Sequence, residues 1–492
     1  MTQNSNSPMK FSSNCIIAGR SVPAISGETF ETVNPANGEV IANVARGDTA
    51  DVDAAVTAAR KSFDQGPWPR LSPAERKVIM QRFATLVEAH IDELAQIESL
   101  EAGKPITDCI EIDLPETVNT LRWHAEAADK IYDQVSPTGG GVVSMIVREP
   151  VGVVGVILPW NFPLMMAAWK LGPILASGNT TVLKPAEQTS LSTIRLAELA
   201  TEAGIPDGVI NVVPGFGETA GRAIGLHPKV DCVGFTGSTD TGRLFLKYSA
   251  DSNMKRVLLE CGGKNPMIVM ADADDLDSVA EHSVNSIFWN MGENCSSNSR
   301  LIVHSSIKQE LTDKILQATH DWVIGDPMEG TTRVGPLIEE SHLHKVLKHI
   351  DDAKSEGANL LRGGKQVRAE SGGYFVEPTI FDGVTADMRL FREEVFGPVL
   401  AISTFDTPEE AIAMANDSDY GLAASVFTAN NKTAHNAARQ IQAGTVTVNC
   451  YGEGDSTTPF GGYKLSGFGG RDKSLAAHDQ YCELKTIWID LS

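Results

Sequence analysis

The stretch TTVLKPAEQTSLSTIRLAELATEAGIPDGVINVVPG, residues 180–215, decides the predicted fold of this chain. It opens with the β-branched run TTVL, continues with a helical segment over 189–204, and closes with the second apolar run GVINVV. Short buried strands that alternate with helices are typical of a parallel, doubly wound sheet. The stretch therefore predicts one strand–helix–strand unit of an α/β protein.

The same pattern continues on both sides of this unit. Further strands are predicted in GVVGVILPW, VDCVGFTG and KRVLLECGG, and a second α/β region in residues 265–461 contains NPMIVM, RLIVHS, VLAISTF and TVTVN. Residues 51–128 have apolar side chains three and four positions apart, which predicts helices, including one long helix over 74–102 ended by Gly103. A chain of 492 residues has room for about three domains.

Composition excludes several classes of protein. With 41 Lys and Arg against 63 Asp and Glu, the net charge is −22, which argues against nucleic acid or an anionic membrane as a main partner. The seven cysteines are scattered and form no CxxC pair, which favours a reducing compartment over a disulfide framework. The N-terminus MTQNSNSPMKFSSNC is polar and no apolar run reaches membrane length, so we expect a cytoplasmic location.

Cys295 is the first candidate functional residue. It lies in FWNMGENCSSNSR, residues 288–300, among glycine and small polar residues, whereas structural cysteines usually have apolar neighbours. This setting lets the backbone approach a ligand and leaves the sulfur reachable, which suggests a nucleophile. Taken alone, the run is equally compatible with an incidental exposed thiol.

Two further motifs offer groups that a nucleophilic thiol needs. Glu260 ends the strand of LLECGGK, at the edge of a parallel sheet where ligands bind, although a turn-capping role is the alternative. In PWNFP, the two prolines restrict Asn161, whose amide could stabilise an oxyanion or, alternatively, its own turn.

Two motifs point to a dinucleotide. FTGSTDTG, with Gly237 and Gly242, is a glycine-rich turn between a strand and a helix, where backbone N–H groups can bind a pyrophosphate. In KPAEQT, Lys184 and Glu187 follow a strand, and a carboxylate there can bind both ribose hydroxyls and repel a 2′-phosphate.

In order along the chain, PWNFP, KPAEQT, FTGST, LLECGGK, the Cys295 segment, REEVFGPV and TPFGGYKLSG resemble the NAD(P)-dependent aldehyde dehydrogenase superfamily. The loop NCYGEGD and the tail GRDKSLAAHDQYCELKTIWI are most similar to γ-glutamyl-γ-aminobutyraldehyde and other ω-amino- or guanidino-aldehyde dehydrogenases. The resemblance implies a Rossmann-like NAD-binding domain (1–132 and 151–261), a second α/β catalytic domain (262–462) and a small β oligomerisation segment (133–150 and 478–492).

The resemblance also implies roles for individual residues. Cys295 would attack the aldehyde, the Asn161 amide would bind the oxyanion, Glu260 would activate the hydrolytic water, and Lys170 would belong to the same catalytic group. The residues implied for cofactor binding are Trp160, Lys184, Glu187, Gly237, Ser238, Glu394 and Phe396. NAD is favoured by Glu187, with NADP as the alternative, and no metal site is implied.

Substrate choice is expected to depend on the rings of Phe162, Trp169 and Phe460 and on the acids Glu453 and Asp455. Two carboxylates in the substrate loop would favour a cationic tail, unless both are solvated loop charges. The expected reaction is oxidation of an ω-amino, guanidino or γ-glutamylated aldehyde from polyamine or arginine breakdown, by a homodimer or homotetramer. A broad-specificity or betaine-type aldehyde dehydrogenase is the alternative.

Two local features complete the predictions. Glu293, where many relatives have Gln, is expected to raise the pKa of the thiol two residues away by like-charge repulsion. The histidines of SHLHKVLKHIDDAKSEGA, at positions 342, 344 and 349, are expected on a solvated helix face rather than in a metal site.

Other classes of protein would need a different set of residues. A cysteine hydrolase needs a His partner for the thiol, a CoA-acylating dehydrogenase needs no water-activating base, and a non-catalytic protein needs none of these groups. The sequence combines Cys295, Glu260 and Asn161, which favours the hydrolytic dehydrogenase.

Overall fold

The computed structural model describes residues 11–492, so residues 1–10, which the sequence assigns to the start of the NAD-binding domain, lie outside it. In chain order the strands are β1 (Cys15–Ile17), β2 (Arg20–Val22), β3 (Thr29–Val33), β4 (Val40–Ala45), β5 (Gln134–Ser136), β6 (Val142–Pro150), β7 (Val153–Ile157), β8 (Thr180–Lys184), β9 (Ile210–Val212), β10 (Cys232–Gly237), β11 (Arg256–Cys261), β12 (Pro266–Val269), β13 (Arg300–His304), β14 (Asn359–Arg362), β15 (Gln366–Val367), β16 (Phe375–Val376), β17 (Thr379–Asp382), β18 (Val399–Phe405), β19 (Tyr420–Gly421), β20 (Ala423–Phe427), β21 (Thr445–Val448), β22 (Tyr463–Lys464), β23 (Gly467–Phe468) and β24 (Cys482–Asp490).

The α-helices connect and cover these strands. In chain order they are α1 (Thr49–Gln65), α2 (Pro73–Ala89), α3 (Ile91–Ala102), α4 (Ile106–Asp108), α5 (Leu114–Ala127), α6 (Pro163–Ala176), α7 (Leu191–Glu202), α8 (Arg222–Leu226), α9 (Thr239–Ala250), α10 (Leu276–Phe288), α11 (Lys308–Ala318), α12 (Glu340–Ser355), α13 (Arg389–Arg392), α14 (Pro408–Asn416), α15 (Asn431–Gln440) and α16 (Ala476–Asp479). A π-helical turn, Cys109–Asp113, joins α4 to α5.

The first sheet has eight strands in the order β2-β1-β9-β8-β7-β10-β11-β23. Its five central strands, β9-β8-β7-β10-β11, are parallel, as the alternation of strands and helices predicts. The strand order reverses between β7 and β10, and in such sheets ligands bind beyond the carboxyl ends of the strands at this reversal. PWNFP follows β7 and FTGST ends β10, so both motifs lie at that point.

The second sheet has seven strands in the order β14-β17-β18-β13-β12-β20-β21. All neighbours in it are parallel except β14, which pairs antiparallel with β17. Cys295 lies in the connection between α10 and β13, at the side of this sheet that faces the ends of β7 and β11. The α/β fold class is thus confirmed, and the nucleophile candidate comes from the second sheet.

A separate three-stranded antiparallel sheet, in the order β24-β6-β5, joins the two segments that the sequence assigns to oligomerisation. The long pairing of β6 with β24 runs from Val142 with Asp490 to Pro150 with Cys482. The domain boundaries stay predictions. The strand β23 lies outside the predicted NAD-binding segments, yet it pairs with β11 at the edge of the first sheet.

The single long helix predicted over 74–102 is two helices. His90 leaves the helical region with φ −114° and ψ +20°, which ends α2 before α3 starts at Ile91, and its ring Nδ1 lies 2.8 Å from the Leu86 carbonyl oxygen. Gly103 ends α3 as predicted, in the left-handed conformation at φ +75°. Within residues 11–492, no helix has both the length and the apolar character that crossing a membrane requires.

Candidate active site

A cavity of about 240 Å³ lies where the strand order of the first sheet reverses. It brings together residues from the ends of β7, β10 and β11 and from the Cys295 connection. Among the residues that line it are Trp160, Asn161, Gly237, Ser238, Glu260, Cys295, Glu394 and Phe396. Eight of the predicted catalytic and cofactor residues, distant in sequence, thus share one cavity.

The backbone around Cys295 is fixed by an unusual local conformation. Asn290 and Met291 both adopt left-handed φ angles, +50° and +56°, just before Gly292. The Asn265 side-chain amide donates to the Cys295 carbonyl at 2.8 Å and to the Ser297 carbonyl at 3.1 Å. The segment is therefore held rigidly where the sulfur lines the cavity.

Burial and nearby acids favour the protonated form of the Cys295 thiol. Desolvation is the main cause that raises the pKa of Cys295 well above its usual range, and Glu453, Glu394 and Glu260 add to it. A thiol with a raised pKa must lose its proton to a base before it can attack a carbonyl.

Asn161 is buried and held from three directions. Its Nδ2 donates to the Glu293 carbonyl at 2.9 Å, and its own carbonyl accepts from Lys104 Nζ at 3.2 Å and from Asn290 Nδ2 at 3.3 Å. An Nδ2 group has two hydrogens, so one remains for a ligand in the cavity. A side-chain amide with so little freedom suits oxyanion binding.

Glu260 lies near a buried ion pair between Lys170 and Asp472. Lys170 Nζ and Asp472 Oδ2 are 2.5 Å apart, and Glu260 Oε2 has no hydrogen-bond partner within residues 11–492. Burial is the main cause that raises the pKa of Glu260 well above its usual range; the charge of Asp472 adds to it, whereas Lys170 and Arg471 oppose it. A carboxyl whose pKa moves upward is suited to proton transfer near neutral pH.

The carboxyl end of β10 presents a helix N-terminus to the cavity. Ser238 is the N-cap of α9, and its hydroxyl accepts the Thr241 N–H at 3.2 Å. The other N–H groups of this first turn, together with Gly237, are available to a pyrophosphate. Glu394 accepts the Gly263 N–H at 2.8 Å, and a Cβ at Gly262 would lie 2.1 Å from its Oε2, so a side chain at position 262 would displace the carboxylate from this position.

An aromatic cluster forms one wall of the cavity. The Trp160 ring lies 5.3 Å from Phe396 and 5.5 Å from His342, and His342 Nε2 donates to the Phe396 carbonyl at 2.7 Å. The prediction of a solvated helix face is wrong for His342 and His349, which are buried, and holds for His344, which is exposed. The helical period does not determine which face of α12 packs inward. In the structure, His342 and His349 both lie on the inward face.

Glu293 does not act on the thiol as predicted. Its buried carboxylate accepts the Ile338 N–H at 3.0 Å and lies 3.6 Å from His342 Nε2. The acids that raise the pKa of Cys295 are Glu453, Glu394 and Glu260 instead. Proximity in sequence was misleading because the Glu293 carboxylate is held by Ile338 and His342, which are distant in sequence.

Lys184 and Glu187 form an ion pair of 2.7 Å after β8, next to the strand that carries PWNFP. Lys184 is buried and Glu187 is half-buried. They do not belong to the residues that line the 240 Å³ cavity within the described chain. Lys184 is the last residue of β8 and Glu187 lies just beyond it, on the same edge of the sheet as Ser238.

The predicted aromatic side chains connect the inner cavity to an outer one. Phe162, Trp169 and Phe460 line the inner cavity, and Trp169 packs edge-on against Phe460 at 5.1 Å. Trp169 also lines an entrance cavity of about 510 Å³ that includes Glu453. The Ser296 hydroxyl, next to Cys295 in sequence, donates to the Glu453 carboxylate.

Asp455 differs from its predicted position. Its carboxylate accepts the Thr457 N–H at 2.8 Å and the Thr457 hydroxyl at 2.5 Å, as in an Asx turn, and within residues 11–492 it lines neither cavity. Two acids not predicted from the sequence, Glu111 and Glu116, line the entrance cavity instead. The acidic run EIDLPE was visible, but its place at the entrance depends on the π-helical turn before α5.

Comparisons with known proteins show the family of this chain. Residues 22–487 match the model of the aldehyde dehydrogenase family. The chain is 57% identical to an aminoacetaldehyde dehydrogenase of Pseudomonas aeruginosa, over 95% of this chain and 94% of that protein. Its fold matches the crystal structure of a γ-glutamyl-γ-aminobutyraldehyde dehydrogenase from Burkholderia cenocepacia with a TM-score of 0.97, at 48% identity and covering 98% of each chain. An indole-3-acetaldehyde dehydrogenase solved in complex with NAD⁺ also matches with a TM-score of 0.97, at 51% identity over 98% of this chain and 97% of that one. The chain therefore belongs to the aldehyde dehydrogenase family.

Proposed function

We propose that the protein oxidises an aldehyde to a carboxylic acid with NAD, through a covalent intermediate on Cys295. The observation that carries the proposal is the meeting of Cys295, Asn161 and Glu260 in one cavity at the reversal point of a Rossmann-like sheet. A nucleophile, an oxyanion donor and a base in one cavity are the parts that acyl transfer through a thioester requires.

Each of these residues has one task in the proposed reaction. The Cys295 sulfur, after loss of its proton, adds to the aldehyde carbon, and the Asn161 Nδ2 group donates to the oxygen that becomes negative. When bound, NAD would supply the acceptor for the hydride that leaves the carbon. The Glu260 carboxylate then takes a proton from the water that hydrolyses the thioester, which releases the acid and returns the thiol.

The residues present fit NAD. Ser238 and Gly237 offer a helix N-terminus for the pyrophosphate, Glu394 lies beside Gly262 for the nicotinamide ribose, and the rings of Trp160 and Phe396 form an apolar wall. We assign Lys184 and Glu187 to the adenosine ribose, where the carboxylate would repel the 2′-phosphate of NADP.

We propose an aldehyde with a cationic or otherwise polar extended tail as the substrate: an ω-amino, guanidino or γ-glutamylated aldehyde. Three acids, Glu111, Glu116 and Glu453, line the entrance cavity, against one cation, Lys473. The Lys473 ammonium lies over the Trp169 ring, 5.1 Å from its centre, in a cation–π contact. An excess of negative charge in a cleft attracts cations.

The test is NADH formation, followed by absorbance, with 4-aminobutyraldehyde, its γ-glutamylated and guanidino counterparts, and propionaldehyde. We expect kcat/KM to be at least about tenfold higher for the polar long-chain aldehydes, a difference of about 1.4 kcal/mol. Glu453→Gln should reduce this preference, whereas Asp455→Asn, in the same loop but outside both cavities, should leave it unchanged. If propionaldehyde is oxidised as well or better, the substrate class is wrong.

A second candidate is a broad-specificity or betaine-type aldehyde dehydrogenase. The three rings of Phe162, Trp169 and Phe460 around the inner cavity favour it, because such rings also accept simple alkyl chains and quaternary ammonium groups. Adding betaine aldehyde to the panel distinguishes the two: a preference for it over 4-aminobutyraldehyde would support the second candidate.

We further propose a homodimer or homotetramer that pairs through the β24-β6-β5 sheet, in a cytoplasmic setting that suits seven free cysteines. Large apolar side chains on this sheet and its edges are exposed. The exposed fractions of Val135, Leu484 and Trp488 are 75%, 66% and 64%. Exposed apolar patches of this kind often mark interfaces between subunits. Light scattering on the purified protein and on Trp488→Glu should show an oligomer and its dissociation.

A further inference from the structure

A buried cluster of side chains lies next to the candidate oxyanion loop, the PWNFP segment of residues 159–163, and is not used by the proposed mechanism. Glu98, Cys109 and Asp113 place one possible metal-ligand atom each within 4.8 Å of the others. The ammonium of Lys104 already lies among them, 3.5 Å from Glu98 and in direct contact with Asp113. All four side chains are buried. The cluster is therefore a site for a lysine ammonium rather than for a metal cation.

The same ammonium reaches the candidate oxyanion loop. Lys104 Nζ donates to the Asn161 carbonyl at 3.2 Å and lies 3.9 Å from the centre of the Phe162 ring. A hydrogen bond and a cation–π contact thus act on two adjacent residues of PWNFP. One charged group fixes the backbone of the residue whose amide is proposed to bind the oxyanion.

The backbone on either side of this cluster is built to hold the ammonium there. Gly103 adopts φ +75°, and a Cβ at this position would lie 2.8 Å from Pro336 and 2.9 Å from Pro35, so the turn before Lys104 needs glycine. Asp113 ends the π-helical turn whose other residues include Glu111 of the entrance cavity. π-helical turns are frequent at functional sites.

We propose that Lys104 is a positioning residue for the reaction: anchored by Asp113 and Glu98, its ammonium holds the Asn161 carbonyl and so orients the Asn161 amide toward the oxyanion. The inference rests on the proposed role of Asn161. Burial opposes the charged form of Lys104, but Asp113 and Glu98 outweigh it and raise the pKa of the ammonium, so the charge persists across the working pH range.

The test is a double-mutant cycle between Lys104→Met and Asn161→Ala. Activity is measured as kcat/KM for 4-aminobutyraldehyde and for propionaldehyde with NAD. Lys104→Met is expected to lower kcat/KM by about tenfold to hundredfold, less than the roughly hundred- to thousandfold loss typical of a missing oxyanion donor. In the Asn161→Ala background the same change should have little further effect, because the group it positions is absent.

Two readouts separate positioning from a general loss of structure. The rate at which iodoacetamide alkylates Cys295 should be unchanged in Lys104→Met, since the acids that raise the pKa of Cys295 are Glu453, Glu394 and Glu260, none of which contacts Lys104. Lys255→Met is the matched control, because Lys255 is also a buried lysine that donates to a backbone carbonyl, that of Gly225 at 2.6 Å. It should lower thermal stability and leave kcat/KM unchanged.

A folding failure of Lys104→Met would not end the test. Lys104→Met/Asp113→Asn removes both members of the ion pair, and without the Lys104 ammonium, which opposes the effect of burial on the pKa of Glu98, burial favours the neutral form of Glu98. Additive effects of the Lys104 and Asn161 changes would overturn this inference alone. An Asn161→Ala variant with full activity would instead overturn the proposed oxyanion role and the inference with it.

Discussion

The Lys170 ammonium lies 2.5 Å from the Asp472 carboxylate, and this buried pair acts on Glu260 with opposite signs. Both side chains are at most 2% exposed, so water screens their charges little. Burial is the main cause of the raised pKa of Glu260, Asp472 raises it further, and Lys170 lowers it. The pair thus adjusts, on top of burial, the pH at which the proposed base becomes ionised.

Breaking this pair from either side should move the pH profile in opposite directions. Activity that needs ionised Glu260 rises with pH through the pKa of that group. Asp472→Asn removes a negative charge, lowers this pKa and should shift the acidic limb of the kcat profile to lower pH. Lys170→Met removes a positive charge and should shift it to higher pH. Shifts in the same direction would mean that Glu260 does not control this limb.

The Cys295 thiol should become easier to ionise when an entrance acid is neutralised. After burial, Glu453 is the largest cause that raises the pKa of Cys295. Glu453→Gln should therefore lower the pH midpoint for alkylation of Cys295 by iodoacetamide. Asp455→Asn is the control and should leave the midpoint unchanged, because its exposed carboxylate is bound within its own turn. A common shift in both variants would contradict the specific role of Glu453.

Cofactor choice should depend on Glu187. In Glu187→Gln the carboxylate that opposes a 2′-phosphate is lost, and Lys184, now without its 2.7 Å partner, can attract that phosphate. We expect kcat/KM for NADP relative to NAD to rise at least about tenfold, or about 1.4 kcal/mol. Glu202→Gln, at the end of α7, is the control. An unchanged NADP/NAD ratio would place the adenosine ribose elsewhere.

The buried histidine pair should make stability depend on acid pH. His124 Nδ1 and His478 Nε2 are 2.8 Å apart, and burial lowers the pKa of His478 to about 4 and that of His124 well below its usual range. The unfolded chain takes up a proton below about pH 6.5 that the folded chain excludes. The free energy of unfolding contributed by His478 is thus fully present above pH 6.5 and declines toward pH 4, by about 2 kcal/mol between pH 6.5 and 5.

Urea unfolding at pH 7 and pH 5 measures this contribution. His478→Gln should lose less stability on acidification than the unaltered protein, because its side chain takes up no proton. His344→Gln, which changes an exposed histidine of α12, should behave like the unaltered protein. Equal acid sensitivity in all three would show that His478 already binds a proton in the folded state.

The sequence by itself determined the α/β class, the strands at the ends of which the motifs lie, and the family. These features follow from local pattern: β-branched runs become buried strands, and a residue at the end of a parallel strand lies at the ligand-binding edge whatever the remaining packing. Glu260 and Gly237 were identifiable for this reason. Glycines with special backbone roles, such as Gly103 at φ +75°, were visible too, because few other residues adopt that conformation.

Tertiary structure alone decided which side chains face one another. Period and spacing do not fix the direction in which a loop leaves a sheet. Asp455 therefore binds the backbone of its own turn, whereas Glu111 and Glu116 line the entrance cavity. Likewise, the direct neighbours of Cys295 in sequence did not include the acids that raise its pKa. Charges act through space, and burial removes the water that would screen them, so the partners of Cys295, of Glu260 and of Lys104 became known only when distant segments packed together.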